Sequence, residues 1–168
     1  MHFADLELCQ YHTGPFDASN WSVQLCAVGW LEQSHSFRTG TVPSAVVSKL
    51  KEMLEQMRSA YFHYAFRGLH DCSLCPGTFR LTESYLNLFV PGASVIYIAP
   101  AGIVHYIETH SYLPPEVFLD AVLRCPKCTS AGYREALSVA NGGQEIPLEM
   151  DKAFVPHRRS PSDTSDKC

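Results

Sequence analysis

The feature that most constrains this chain is a spacing: Cys72-x2-Cys75, then 29 intervening residues, then His105-x4-His110. Thiolates and imidazoles at such intervals are the donors of a four-coordinate Zn2+. Two cysteines three apart can grip one ion because the turn between them, here closing in Pro76-Gly77, points both sulfurs and several backbone amides inward, and those amides stabilise thiolate charge. Two histidines near the end of a helix complete the tetrahedron. On an ideal helix, however, five residues turn through about 500°, so the two rings stand about 140° apart around the axis. Both reach one ion only if the last turn tightens or unwinds. Ser111 and the oncoming Pro114-Pro115 place a helix end there.

Other donors compete. His70, two residues before Cys72, is placed to ligate or to donate from behind a ligand, and Asp71 and Glu108 are candidates to orient a ligating imidazole. A second pair, Cys125-Pro126-Lys127-Cys128, offers an all-thiolate ribbon site with Cys72 and Cys75, provided the end of the preceding helix returns to the first pair. Redox chemistry at Cys125 is disfavoured, because a reactive dithiol needs its first cysteine at a helix N-terminus, where the thiol pKa falls. Here it follows a helix.

At 168 residues the chain is long enough to bury a real core, so a metal acts as a staple within a fold rather than as its sole support. A net charge of -4 and a pI near 6.0 leave no electrostatic footprint for nucleic acid or for an anionic membrane surface. Residues 1 to 20 carry Asp5, Glu7 and Asp17 without an apolar segment of signal-peptide length, and no run approaches the ~20 apolar residues that span a bilayer. Seven cysteines, four of them in two C-x2-C pairs, fit metal ligation in a reducing compartment better than a disulfide framework. A cytoplasmic protein is expected.

Along the chain, the apolar run Ser22 to Leu31 reads as a central strand, with Gly29 marking a bend or a close backbone approach. From Pro43 to Arg58, the apolar residues Val46, Val47, Leu50, Met53, Leu54 and Met57 recur at helical spacing. Tyr61 to Phe66 reads as a short aromatic strand. Tyr85 to Val90 and Val95 to Ala99 read as a hairpin around Pro91-Gly92-Ala93-Ser94. Pro100 opens a helix running to about Tyr112 with Ile103, Val104 and Ile107 inward, and Pro114-Pro115 begins another from Glu116 to Arg124 that buries Val117, Phe118, Ala121 and Val122. Gly132 to Asn141 reads as a short, weak helix. The expected architecture is α+β: a small, mostly antiparallel sheet packed on three helices with a zinc knuckle, over residues 1–141, followed by a polar, disordered tail from 142 to 168.

Gly68, His70, Cys72 and Cys75, followed by His105, Tyr106, Ile107, His110, Tyr112, Pro114, Pro115 and Phe118, with Val28-Gly29-Trp30-Leu31 and His35 upstream, resemble an uncharacterised family of small bacterial proteins. That family pairs G-x-H-x-C-x2-C with H-Y-[I/V]-x2-H-x-Y-x-P-P-x2-F. The resemblance covers residues 3 to 122 and implies a shared fold and metal site without implying a reaction. The second cysteine pair and the tail lie outside its motifs.

Catalysis by zinc needs an open coordination position and a nearby acid or base. Four Cys/His ligands close the site, and only if one histidine is not a ligand does water bind, with Glu108 as the base. His35 and His63 have no partners in sequence, and the chain lacks a Gly-rich phosphate loop, G-x-S-x-G and H-E-x2-H. The expected function is a non-catalytic, zinc-stabilised module that binds another protein, of the regulatory or toxin-neutralising immunity type. The alternative is a zinc-dependent hydrolase.

Overall fold

The computed structural model describes residues 2–9, 25–60, 71–77 and 86–144. The expected strand at 61–66, His63, His70 and the tail beyond Gln144 lie outside the described residues. The fold is α+β, with a three-stranded mixed sheet and four helices. In chain order these are β1 (Leu25–Ala27), α1 (Ser44–Ala60), β2 (Asn87–Pro91), β3 (Ile96–Pro100), α2 (Ile103–His110), α3 (Glu116–Arg124) and α4 (Ala131–Ala140).

The sheet order is β1-β3-β2. β2 and β3 form the expected antiparallel hairpin, its turn closed by the Gly92 amide donating to the Val95 carbonyl at 2.8 Å. β1 joins β3 in parallel, Leu25 opposite Ile96 and Ala27 opposite Ile98. A parallel neighbour requires a long crossover, and here it includes α1. The outer edge of β1 is covered by the N-terminal segment, where the Leu6 and Cys9 amides donate to the Ala27 and Leu25 carbonyls and the Ala27 amide donates to Glu7. That pairing removes the unsatisfied row an edge strand would otherwise present.

Leu88, Phe89, Val90, Ile96, Ile98 and Ala99 are all buried, as expected for strands covered on both faces. α1, α3 and α4 pack on β2. α1 turns Val46, Leu50, Met53, Leu54 and Met57 inward and leaves Lys51, Glu52 and Glu55 exposed, the amphipathic split its spacing predicts. Among the described residues, no helix is long and apolar enough to cross a membrane.

Three expectations are corrected. Pro100 ends β3 opposite Asn87 instead of opening α2, a placement proline tolerates because a strand end needs no further amide donor. Val117 is 51% exposed, since α3 meets the core with Phe118, Ala121 and Val122 alone. α4 is a full core helix: Ser130 caps it by accepting from the Tyr133 amide, and Tyr133, Leu137 and Ala140 are fully buried. The Tyr133 hydroxyl donates to the Phe89 carbonyl at 2.7 Å, which satisfies a polar atom that burial would otherwise penalise.

Candidate metal centre

Residues 71–77 form the knuckle that presents Cys72 and Cys75, and α2 presents His105 and His110. One atom from each of these four side chains lies within 4.8 Å of the other three. Cys72 Sγ stands 3.4 Å from His110 Nε2, and Cys75 Sγ stands 3.3 Å from both His105 Nε2 and His110 Nε2. A tetrahedral zinc with ordinary Zn–S and Zn–N bonds has N···S edges of about 3.6 Å. The donor set therefore surrounds a volume the size of one ion, and its chemistry suits a borderline-soft divalent metal.

The 140° problem is solved at the end of α2. The Ser111 amide donates to the Tyr106 carbonyl, five residues back, and so does the Tyr112 amide at 3.1 Å. The last turn is thus widened, π-like rather than tightened, and it carries His110 back over His105. Their ring centroids are 5.0 Å apart. The turn ends on Ser111 in the left-handed region, φ 54°, an uncommon conformation for a residue with a Cβ.

What holds that end is backbone from far away in sequence. The Gly40 amide donates to the Ser111 carbonyl at 2.9 Å and the Leu113 amide to the Arg38 carbonyl at 2.9 Å. The Tyr112 hydroxyl donates to Asp5 Oδ1 at 2.6 Å, and the Gly29 amide donates to the same oxygen at 3.0 Å. Burial, with the Asp5 carboxylate beside it, pushes the Tyr112 hydroxyl pKa up. Gly29 has φ +75°, and a Cβ there would lie 3.1 Å from Ile103, so the close approach read from sequence is real and admits only glycine without strain.

Cys72 is buried, whereas Cys75, His105 and His110 are half-buried. Burial and the neighbouring Cys72 raise the Cys75 pKa, and burial, then His110, lowers that of His105. That shift favours the neutral imidazole of His105, the form a ligand must present. Its Nδ1 lies 3.2 Å from Thr109 Oγ1; with Nε2 ligating, Nδ1 carries the proton and donates to that hydroxyl, which sets the ring's tautomer. Buried Tyr106 backs both imidazoles, with ring centroids 5.8 and 6.4 Å away.

Of the other sequence candidates, those among the described residues are placed elsewhere. Glu108 is exposed and accepts from Lys51 Nζ of α1 at 2.7 Å. Asp71 is exposed. Cys125 and Cys128 lie against α1, where the Cys128 amide donates to Gln56 Oε1 at 2.7 Å, and they are not part of the four-donor cluster, which excludes the ribbon arrangement with Cys72 and Cys75. Thr109, four residues after His105, was legible by helical spacing yet not singled out; Asp5 carried no signal.

A family model described as a domain of unknown function, DUF7919, matches residues 1–123. The chain belongs to this family. The matched span includes all four donors and the Asp5 and Gly29 contacts that anchor the end of α2, so the DUF7919 region contains the whole candidate centre. No curated protein and no solved structure matches the chain.

Proposed function

We infer that this DUF7919 protein is a non-catalytic module, stabilised by one structural Zn2+ on Cys72, Cys75, His105 and His110, that acts by binding another protein in a regulatory or immunity role. The observation that carries this reading is the closed donor set: two thiols and two imidazoles, three of whose N···S separations are 3.3–3.4 Å and all of whose donor atoms lie within 4.8 Å of one another. Four protein ligands satisfy zinc's preferred number and leave no position for water or substrate. Glu108, the one acid in sequence that suggested a base, is engaged by Lys51 and lies outside the donor cluster. Support for a protein partner comes from the outer faces of α3 and α4, where Val117 and Leu123 are each 51% exposed and Val139 is 65% exposed.

Cobalt substitution tests the closed site. The Co2+ protein is expected to show tetrahedral thiolate–imidazole absorption that does not change on addition of azide, cyanide or acetate. An anion-responsive spectrum overturns the reading in favour of a zinc-dependent hydrolase with an exchangeable position. Affinity capture with the zinc-loaded protein then identifies the partner, and loss of capture on Val117→Asp or Leu123→Asp maps the surface.

A further inference from the structure

The geometry points to a second metal site on this chain, separate from the Cys2His2 centre: Cys125 and Cys128 bind one soft, two-coordinate monovalent cation of the Cu+ type. The pair sits where α3 ends and the chain turns toward α4. Both side chains are enclosed, Cys125 at 5% and Cys128 at 0% exposure, and the C-x2-C spacing keeps the two thiols within a single turn of one another, as a chelating pair requires. Three constraints hold them there. Cys128's amide is tied to Gln56 Oε1 at 2.7 Å, Gln56 Nε2 is tied in turn to Glu52 at 2.7 Å, and Pro126 restricts the turn between the two cysteines.

The donor count selects the ion. Zinc needs four donors, but among the described residues the only cluster of three or more metal-ligating side chains is the Cys2His2 group. Two thiolates suffice for a d10 monovalent ion, whose preferred donors are soft sulfur. Binding converts two thiols and one cation into a bis-thiolate complex of charge -1 and releases two protons, with no change of oxidation state. The Lys49 ammonium, whose field opposes the upward push that burial exerts on both thiols, offsets that charge, and Lys49 pairs with Glu52 at 3.8 Å. Enclosure excludes water, which protects a monovalent ion and its thiolates from oxidation.

The test uses the full-length, zinc-loaded protein under anaerobic conditions, titrated with Cu+ against a chromophoric Cu+ chelator, with zinc and copper measured in the recovered protein. The expected result is about one copper per chain with zinc fully retained, and loss of that copper in Cys125→Ser/Cys128→Ser. No uptake in competition with the chelator, zinc released as copper enters, or uptake unchanged in the double variant overturns the proposal. X-ray absorption at the copper edge of the wild-type protein decides the matter even if the double variant fails to fold: a shell of two sulfurs supports the site, and nitrogen in the shell assigns the copper to His105 or His110 and overturns it. Zinc content in the same samples reports independently on the Cys2His2 centre.

Discussion

The chain uses one spacing twice, and the two copies meet different fates. Cys72 and Cys75 sit in a turn at the rim, one buried and one half-exposed, facing two imidazoles. Cys125 and Cys128 sit against α1, both buried. The local sequence is similar in both, each a C-x2-C containing or followed by proline. What separates them is what the rest of the fold brings beside them. α2 arrives over the first pair with two histidines, and α1 arrives over the second with glutamine, lysine and glutamate. A C-x2-C therefore specifies a turn able to chelate, and the partner element decides which further donors it meets.

Matched single variants break this comparison most sharply. Cys72→Ser is expected to abolish zinc binding and to lower the thermal midpoint by roughly 10 °C, because binding free energy is folding free energy. Cys128→Ala is expected to retain one zinc per chain and to cost only about 1 to 2 kcal/mol for the small cavity it leaves. Elemental analysis and thermal unfolding of the two proteins measure both. Zinc lost from the second variant would mean that the pairs are not independent.

Acidity sharpens the distinction further. Cys75 holds its proton more tightly than an ordinary thiol, and zinc must displace a proton from each of its two cysteines, so affinity is expected to fall about a hundredfold per pH unit as the pH is lowered. His105 behaves oppositely in one respect: its pKa lies below the usual 6.5, so it stays a neutral ligand at pH 7 and competes with protons only below that value. The same depression means that the metal-free fold loses stability as the pH falls below 6.5, where the unfolded chain takes up a proton that the folded chain resists. A zinc titration at several pH values, with unfolding followed in chelator, checks both signs.

Smaller effects test how the first site is oriented. Thr109→Val removes the acceptor at His105 Nδ1 and is expected to weaken zinc binding about tenfold with little change in fold, measured by competition with a zinc chelator. Glu108→Gln breaks the exposed ion pair with Lys51 and is expected to change stability by less than about 0.5 kcal/mol and zinc affinity not at all. A large loss of zinc affinity in the glutamine variant would return Glu108 to the metal's surroundings.

Much of the fold was legible because its signals are local. The α1 stripe, the β2–β3 hairpin around Gly92 and the proline-started α3 each follow from residues within one element's length. The reading failed where a local pattern was ambiguous about its neighbours. Val117 is apolar and at plausible spacing, yet α3 is short enough that three residues satisfy its buried face. The segment Gly132 to Asn141 looked weak because Gly132, Ser138 and Asn141 favour helix poorly, but Tyr133 and Leu137 enter the core and tertiary packing outweighs propensity.

The sequence by itself determined the donor types, the two C-x2-C turns and the helix end near His110, since metal-ligand chemistry and chain termination are properties of short stretches. Only the tertiary structure decided which donors meet. It brought α2 over residues 72–75 and widened α2's last turn so that two histidines 140° apart on an ideal helix come within reach of one ion. It held that strained end through Asp5, Gly29, Arg38 and Gly40, and it turned Cys125 and Cys128 to α1. The physical reason is the same in each case: a contact between residues tens of positions apart depends on how whole elements pack, and no spacing within a single stretch encodes it.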